Sequence, residues 1–450
     1  MRRIRGVAIP HNKNTETGEA RVLPTPAEVT IPMAMHIGAP AIPVVSAGDE
    51  VKVGQLIGEA YGFVSAPVHA SVSGRVKSIN DRDFVTGQKA ASVTITADGE
   101  QTAYEELVPP PVANLPEFLD AVRNSGVVGL GGAAFPSAVK LTIGEPGKLE
   151  YILVNGAECE PYITSDSRTM VDGAELIREG IQLLKKFFGV NIIICIENNK
   201  PAPIENMRKI ADSEQGVEVR VLPAKYPQGG EKVLIYTVTG RVVPEGGLPI
   251  DAGLIVLNCT TVAAIARYIK TGMPLVSKCV TVDGPAVKDP GNVIAPIGAP
   301  VRELIKLCGG LGGDIKKVLL GGPMMGVAIP SLDMPVLKST NAILAFGTKD
   351  ARISAQTACI RCGRCIANCP MSLMALEIER AYLLKKPEML ERYKVNLCME
   401  CGCCDYVCPA RRPLVQTIKL AKSMLRDLRP PQQKAAEENS ATKERKEAEE

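Results

Sequence analysis

Cysteines are concentrated in one short part of this 450-residue chain. Nine of the 14 lie between Cys359 and Cys408, and eight of these form two runs that share the spacing C-x-x-C-x-x-C-x-x-x-C followed by proline: Cys359, Cys362, Cys365 and Cys369, then Cys398, Cys401, Cys404 and Cys408. Thiolates at such spacings ligate iron–sulfur clusters, and paired C-x-x-C units also bind structural zinc. Zinc needs only four ligands per site and gives no reason for this unit to occur twice, so the spacing favours iron–sulfur.

The double run resembles a two-cluster bacterial ferredoxin, in which three cysteines of one run and the last cysteine of the other hold each [4Fe–4S] cluster. The resemblance implies one ligand set of Cys359, Cys362, Cys365 and Cys408 and a second of Cys369, Cys398, Cys401 and Cys404. Cys403 breaks the symmetry and is interpreted as a packing or surface residue without a ligand role.

A glycine-rich loop forms a second candidate site. Residues 126–141 read GVVGLGGAAFPSAVKL, in which Gly129, Gly131 and Gly132 precede a helix-like stretch that contains Lys140. Such a loop lets backbone N–H groups approach a phosphate, and the helix N-terminus and a lysine add favourable potential. The loop matches neither the Rossmann fingerprint nor a Walker loop.

Polar residues occur at three places along the chain where a strand is expected to end. Asn155, Glu158 and Glu160 follow the predicted strand 151–154, and the segments YPQGGEK (226–232) and LNCTT (257–261) supply further polar groups. Ligands of α/β proteins bind just beyond the carboxyl ends of strands. Met324 and Met325, after Gly321 and Gly322, are expected to fill core.

The glycine loop and these strand-end segments resemble the flavin- and NADH-binding subunit of respiratory complex I. The resemblance implies FMN contacts from Gly129, Gly131, Gly132, Lys140, Asn155 and Glu158, joined by Gly230, Glu231 and Asn258. It places Phe135 and Glu160 where NADH, the substrate, would stack and hydrogen-bond. The sequence departs from the family at Ala157 and at the NCTT segment, which concern the ribityl contacts, and in having no lysine between residues 240 and 251, which concerns the NADH contacts. No residue is assigned as catalytic.

Two further segments complete the predicted organisation. Residues 32–80 resemble the barrel-sandwich modules that carry lipoate or biotin, although the hairpin tip at residues 68–71 lacks the acceptor lysine. Residues 274–310 resemble a small ligand-binding β-grasp domain with a helix over 301–307. The predicted class is therefore a multidomain α/β and α+β protein, divided into a barrel sandwich (1–100), an FMN/NADH-binding α/β module (110–270), a β-grasp domain (271–312), strands returning to the core (313–350), a two-cluster ferredoxin-like domain (351–425) and a disordered charged tail (426–450).

Composition narrows the function classes. The formal charge is +3, with 46% hydrophobic and 22% charged residues, so nothing argues for nucleic-acid binding or a wholly disordered chain. No apolar run approaches the roughly 20 residues that a membrane span needs, and the N-terminus does not resemble a signal peptide. Scattered cysteines without a secretion signal favour a reducing compartment.

The order of these modules, with the opening RGVAIPHNK and the segments HIGAPAIPVV and FVSAPVHASVSG, resembles that of the RnfC subunits of Rnf complexes. The resemblance implies a peripheral subunit on the cytoplasmic face of the cell membrane, which passes electrons between NADH, FMN and two [4Fe–4S] clusters. Its partners would be the other, membrane-embedded Rnf subunits and, indirectly, ferredoxin. Two alternatives stay open: a cobalamin reductase-like flavin and iron–sulfur protein, and a non-catalytic ferredoxin-type adaptor whose flavin site is vestigial.

Overall fold

The computed structural model of the protein describes residues 4–83, 89–352 and 354–428. Of the predicted charged tail, residues 426–428 belong to the last helix, which corrects the expectation for those three positions. The rest of that predicted tail lies outside the described residues.

The strands lie between residues 21 and 347. They are β1 (Arg21–Val22), β2 (Glu28–Pro32), β3 (Ile42–Pro43), β4 (Glu50–Val51), β5 (Leu56–Glu59), β6 (Val68–His69), β7 (Gly74–Asp83), β8 (Lys89–Ala97), β9 (Tyr151–Gly156), β10 (Asn191–Glu197), β11 (Val217–Leu222), β12 (Leu254–Asn258), β13 (Ser277–Asp283), β14 (Gly291–Pro296), β15 (Ile315–Leu320), β16 (Val327–Ala328) and β17 (Ala342–Gly347).

The helices are α1 (Leu115–Asn124), α2 (Ser137–Leu141), α3 (Ser165–Asp172), α4 (Ala174–Phe188), α5 (Pro201–Ser213), α6 (Glu231–Thr239), α7 (Cys259–Thr271), α8 (Val301–Leu307), α9 (Arg364–Ala367), α10 (Ala375–Leu383), α11 (Pro387–Arg392), α12 (Cys403–Tyr406) and α13 (Leu414–Leu428). Helix α8 has the bounds that the sequence predicts. Across the described part of the chain, none of the helices has both the length and the apolarity needed to cross a membrane.

The chain forms two compact units. The sheet unit comprises the described residues of 11–222 and 253–351, and the cysteine unit comprises those of 1–10, 223–252 and 352–450. This division differs from the sequence-based one, which groups residues 223–252 with the flavin module although they pack with the cysteine motifs.

A four-stranded parallel sheet lies in the sheet unit, with the strand order β11-β10-β9-β12. Its strands are runs of Ile, Leu and Val, and residues 152–154 are fully buried, as expected where helices cover both faces of a parallel sheet. Helix α4 precedes β10 and ends at Gly189, whose φ of 65° is left-handed, a conformation that favours glycine at this position. The strand order reverses direction between β9 and β12, and this is where open α/β sheets bind ligands.

Three other sheets complete the sheet unit. Sheets β2-β8-β7-β4 and β3-β5-β6 are antiparallel and form the barrel-sandwich region. A mixed six-stranded sheet has the order β1-β14-β13-β17-β15-β16. Its core includes Val280, Val282, Val293 and Ile343, which pack against Leu304 of helix α8.

The cysteine unit is helical. Ile378 of helix α10, Leu390 of α11 and Ile418 of α13 belong to one buried apolar cluster that also contains Cys404. Residues 223–252 contribute helix α6 and a bridge between Val7 and Tyr226. The cysteine loops are therefore held on a small apolar core by short helices.

Candidate functional site

Two asparagines end neighbouring strands at the point where the sheet order reverses. Asn155 at the end of β9 lies opposite Asn258 at the end of β12 in the parallel register. The Asn155 Oδ1 accepts a hydrogen bond of 3.1 Å from the Ala157 N–H, which fixes the turn that leaves the strand. The sheet therefore brings these two predicted site residues together.

Asn258 also caps helix α7. Its Oδ1 accepts from the N–H groups of Thr260 and Thr261 at 3.0 and 3.2 Å, as an N-cap does. Its Nδ2 donates to Asp166 Oδ2 at 2.7 Å, and the Thr260 hydroxyl donates to the other Asp166 oxygen. Burial, and then the nearby Glu158, raise the pKa of Asp166 to about 6. Both the oxygen and the nitrogen of the Asn258 side-chain amide thus form hydrogen bonds within the protein, and these bonds position the strand end.

The glycine loop is folded tightly against this strand end. The Gly129 N–H donates to Phe135 O at 2.8 Å, and the Leu130 N–H donates to the Thr261 hydroxyl at 3.0 Å. A Cβ on Gly131 would lie 3.1 Å from Asn258 Nδ2, and Gly132 has a φ of 117° beside open space. Glycine is therefore favoured at Gly131 by the close approach to the Asn258 side chain and at Gly132 by its backbone conformation.

Lys140 and Phe135 lie at the C-terminal side of the same loop. Lys140 is in helix α2, which starts directly after the loop, and both side chains are half-buried. The loop thus combines exposed glycines at 131 and 132 with a cation and an aromatic ring nearby, the features that the sequence analysis grouped.

Two buried lysines donate hydrogen bonds to backbone carbonyl groups of the glycine loop, and the sequence did not indicate them. Lys278 Nζ donates to Leu130 O at 2.7 Å and to Lys338 O at 3.1 Å. Lys338 Nζ donates to Gly126 O and to Pro67 O, both at 2.7 Å. Burial lowers the pKa of Lys278 to about 8 and that of Lys338 to about 7. Lys338 thereby ties the lysine-less hairpin tip of the barrel sandwich to the start of the glycine loop.

Glu158 is buried and bound within the protein. Its Oε1 accepts from the Asp166 N–H at 2.7 Å and its Oε2 from the Ser167 hydroxyl at 2.7 Å, at the start of helix α3. Lys200 Nζ lies 3.4 Å from Oε2, and the two side chains are 0% and 3% exposed. The structure therefore gives Glu158 a role in shaping the strand-end turn.

A further lysine fixes the backbone of this turn. Lys13 Nζ donates to the carbonyl oxygens of Glu158, Glu160 and Ile163 at 2.8, 2.9 and 2.5 Å. Burial is the main cause that lowers the pKa of Lys13. Because the contact spans some 150 positions of sequence, no local pattern could have pointed to Lys13.

Glu160 projects toward a second glycine turn. Its carboxylate accepts from the N–H groups of Met324 and Met325 at 3.1 and 2.9 Å, and a Cβ on Gly322 would collide with it. Burial raises the pKa of Glu160 to about 7. The expectation that Met324 and Met325 fill the core is wrong for Met325, which is 48% exposed. In this turn the backbone N–H of Met325 contacts the Glu160 carboxylate, and the side chain lies at the surface. The adjacent Gly321 and Gly322 were the feature of the sequence that could have indicated this turn.

Gly230 and Glu231 belong to the cysteine unit, whereas the residues above belong to the sheet unit. A Cβ on Gly230 would lie 2.3 Å from Met399 Cε, and the Tyr226 hydroxyl donates to Cys401 O at 2.7 Å. Tyr226 is 1% exposed. The YPQGGEK segment is therefore packed on the second cysteine motif.

The four cysteines of the second predicted ligand set line one pocket. Its walls include Cys369, Cys398, Cys401 and Cys404, together with Cys403. Burial raises the pKa values of Cys369, Cys398 and Cys404, that of Cys398 to about 11. No group of three His, Cys, Asp or Glu side chains in the described ranges is arranged to hold a single metal ion.

The first predicted set is more open. Cys362 is exposed, and Cys359, Cys365 and Cys408 are half-buried. Burial raises the pKa of Cys365, and the neighbouring Cys408 adds to the effect. The last cysteine of each run thus lies beside the thiols of the other run: Cys369 beside Cys398 and Cys404, and Cys408 beside Cys365. Cys403 is 1% exposed, and the hydrogen bond with Cys401 is the main cause that raises its pKa.

Comparisons with known proteins agree with this modular arrangement. Residues 2–100 match the RnfC barrel sandwich hybrid domain, residues 122–267 the Nuo51 FMN-binding domain, residues 279–328 the SLBB domain and residues 352–409 the 4Fe-4S dicluster domain. The fold class predicted from the sequence is confirmed.

Curated relatives match over most of the chain, and each is the C subunit of its complex. That of the Na(+)-translocating ferredoxin:NAD(+) oxidoreductase complex of Acetobacterium woodii is 43% identical over 88% of this chain and 90% of the relative. That of the proton-translocating ferredoxin:NAD(+) oxidoreductase complex of Clostridium ljungdahlii is 41% identical over 80% of each chain. That of the ion-translocating oxidoreductase complex of Rhodobacter capsulatus is 38% identical over 94% of this chain and 83% of the relative.

Proposed function

This chain belongs to the family of RnfC subunits, and from that premise we propose that it is the electron-transfer subunit of an ion-translocating ferredoxin:NAD oxidoreductase complex. It exchanges electrons between NADH, FMN and two [4Fe–4S] clusters. It works as a peripheral subunit at the cytoplasmic face of the membrane, beside membrane-embedded subunits that connect it to ferredoxin. The observation that carries the proposal is the glycine loop seated on Asn258 at the switch point of the parallel sheet.

The residues at this switch point suit a flavin phosphate and ribityl chain. Gly131 and Gly132 present exposed backbone at the edge of the sheet, and Lys140 at the end of the loop supplies a positive charge that pairs with phosphate. Asn155 contributes the remaining polar atoms of the strand end, and Gly129 and Asn258 keep the cradle in shape. Glu158 acts through the turn that it anchors. When bound, FMN accepts electrons in pairs from NADH and releases them singly to iron–sulfur clusters.

Phe135 and Glu160 are the proposed contacts of the nicotinamide nucleotide. Phe135 offers a half-buried ring for stacking. Glu160 Oε1 and Oε2 are held by the N–H groups of Met324 and Met325. With a pKa of about 7, this carboxylate can hold or release a proton at neutral pH.

The cysteine motifs supply thiolate donors in two sets, as cubane clusters require. We assign Cys369, Cys398, Cys401 and Cys404 to one cluster because they line one pocket. We assign Cys359, Cys362, Cys365 and Cys408 to the other. Gly230 and Glu231, the remaining proposed flavin contacts, lie on the segment that packs against the Cys401 loop within the cysteine unit.

Anaerobic purification and cofactor analysis test the proposal. We expect about eight iron atoms per chain in two clusters, one FMN, and bleaching of the cluster absorbance on addition of NADH. Gly131→Ala should reduce flavin content and leave iron unchanged, because its Cβ displaces Asn258. Gly144→Ala, which has no neighbour within 4 Å, is the matched control. Full clusters without flavin would support the ferredoxin-type adaptor instead.

A further inference from the structure

A cavity of about 350 Å³ lies within the cysteine unit. Three segments form its walls: residues 4–5, helix α6 together with residues 242–243, and residues 370–372, which directly follow Cys369. Its volume falls in the range of roughly 300–1,000 Å³ that is typical of pockets for small molecules. The cavity is therefore large enough to hold an organic ligand.

Hydrogen bonds hold the N-terminal wall of this cavity in place. The Val7 N–H donates to Tyr226 O at 2.8 Å, and the Tyr226 N–H donates to Val7 O at 3.1 Å. Lys225 Nζ donates to Ile4 O at 2.7 Å. The wall that carries Arg5 is thus fixed to the segment that leads into helix α6.

The lining combines positive charge with apolar surface. Arg5 and Lys232 are its two charged residues, and neither side chain forms an ion pair or a hydrogen bond with the residues that the structure describes. Val233 and Val243 are buried, and Tyr236 is half-buried. A guanidinium and an ammonium group beside apolar walls suit a molecule that has an anionic head group and an apolar body.

The third wall also borders a proposed cluster. Pro370 and Met371 line both this cavity and the pocket of the second ligand set. In the same segment the Leu373 N–H donates to Cys369 Sγ at 3.3 Å. Hydrogen bonds to the sulfurs and the net charge around a cluster both set its reduction potential. A negative charge in the cavity would therefore disfavour the addition of an electron to that cluster.

We propose that this cavity binds a small organic anion and that binding favours the oxidised form of the cluster in the second ligand set. A carboxylate or phosphate head group pairs with Arg5 and Lys232. The apolar body of the ligand packs against Val233 and Val243. The effect on the cluster rests on the proposed function, since it takes Cys369 to be a ligand, whereas the binding of the anion does not.

The ligand is distinct from the flavin and from the nicotinamide nucleotide. Gly230 and Glu231, proposed flavin contacts, precede Lys232 in the chain but do not line the cavity. Phe135 and Glu160 belong to the sheet unit. An inorganic ion would neutralise the two cations but leave the apolar walls in contact with water, so the lining favours an organic anion.

Calorimetric titration of the full-length, anaerobically prepared holoprotein tests the site, with saturating NAD⁺ present to occupy the proposed nucleotide contacts. The probes are naphthyl phosphate and naphthoate, which distinguish the two head groups, and naphthol, which has the same rings without the charge. The variant is Arg5→Gln/Lys232→Gln. The matched control is Lys386→Gln/Arg392→Gln, which removes the same charges from exposed residues of the same unit outside the cavity. Arg5→Lys/Lys232→Arg keeps both charges.

We expect at least one anionic probe to bind wild type, and Arg5→Gln/Lys232→Gln to lose at least about tenfold in affinity for it. The control and the charge-keeping variant should stay within about threefold of wild type. Equal binding of naphthol, no binding of either anion, or equal losses in the charge-removing variant and the control would overturn the inference.

Reduction of the clusters tests the redox effect. Affinity of the reduced wild type for the anionic probe should be at least about threefold weaker than that of the oxidised protein. For a one-electron couple this corresponds to a midpoint potential lowered by about 28 mV, which a redox titration followed by electron paramagnetic resonance would show. Equal affinity in the two redox states would overturn the effect on the cluster. A protein without flavin and clusters would refute the proposed function, whereas the probe titrations would still decide the binding site.

Discussion

Replacing Asn258 with alanine should uncouple helix α7 from the carboxyl edge of the sheet. The change removes the acceptor for the Thr260 and Thr261 N–H groups and the donor to Asp166 Oδ2 at 2.7 Å. Asp166 keeps its hydrogen bond from the Thr260 hydroxyl. The perturbation therefore deletes one helix cap and one hydrogen bond to a buried carboxylate.

The magnitude follows from these two losses. An N-cap contributes about 1 kcal/mol, and a hydrogen bond to a charged group contributes about 1.5–3 kcal/mol. The free energy of opening of the first turn of α7 should fall by about 2.5–4 kcal/mol at pH 8, which corresponds to roughly 70- to 900-fold faster exchange of its amides.

The pH dependence follows from Asp166. Its pKa is raised to about 6 by burial and by Glu158, against about 3.9 in an unfolded chain. A raised pKa means that the folded protein binds the proton more tightly, so this group's contribution to stability is present at low pH and is lost as the pH rises through about 6. Removing the donor raises the pKa further, because it removes a partner of the charged form. The variant's deficit should therefore shrink toward the cap contribution of about 1 kcal/mol near pH 5.

Hydrogen–deuterium exchange of peptides that cover residues 255–268, corrected for intrinsic rates at each pH, measures this effect. Asn114→Ala is the matched control: Asn114 caps α1 by accepting from the Glu117 N–H at 2.9 Å and has no buried aspartate partner. It should cost about 1 kcal/mol in α1 with little dependence on pH. A deficit in Asn258→Ala below about 0.5 kcal/mol, or one of the same size at pH 5 and pH 8, would refute the assigned coupling.

Three other outcomes are expected. Burial raises the pKa of Glu160 to about 7, so the contribution of this group to stability is lost as the pH rises through about 7. Between pH 5 and pH 8, the free energy of urea unfolding of the wild type should therefore fall by about 2 kcal/mol more than that of Glu160→Gln. An equal change in the two proteins would contradict this. Cys404→Ser should remove one cluster, whereas Cys403→Ser should keep both, as iron analysis and electron paramagnetic resonance would show; equal iron loss in both would make Cys403 a ligand. Tyr226→Phe leaves the buried Cys401 O without its 2.7 Å donor at a cost of about 1–3 kcal/mol, seen as faster exchange over residues 398–404, with Tyr382→Phe as the unaffected control.

Short-range patterns indicated the residue types that could do chemistry in this protein. The resemblance of the cysteine spacing to a two-cluster ferredoxin implied that the fourth cysteine of each run lies beside the other run, and Cys369 does line a pocket with Cys398, Cys401 and Cys404, while Cys408 is close enough to Cys365 to affect its pKa. The ligand sets themselves stay a prediction. The glycine loop and the two strand-end asparagines were also found from sequence, because a tight loop and a strand end each leave a local signature of residue types. Helix α8 was also predicted from the sequence of its segment, which reads as two strands followed by one helix.

Residue roles that depend on distant partners could not be read in this way. Glu158 anchors helix α3 and pairs with Lys200, and its expected contact with FMN stays a prediction. The Gly230 segment was grouped with the flavin module, whereas it packs on the Cys401 loop of the cysteine unit. Lys200 and the Cys401 loop are both distant in sequence from the residues they contact, so no local motif could indicate these contacts.

The sequence by itself determined the donors: two sets of thiols, a glycine loop and the polar ends of buried strands, since these depend on residue type and on spacings of a few positions. Only the tertiary structure decided what holds those donors in place. Lys278 reaches Leu130 across 148 positions, and Lys338 reaches Pro67 across 271. Lysine is common on protein surfaces and rare in protein cores. Only the packing of the sheets around these two lysines excludes the water that would otherwise accept their hydrogen bonds.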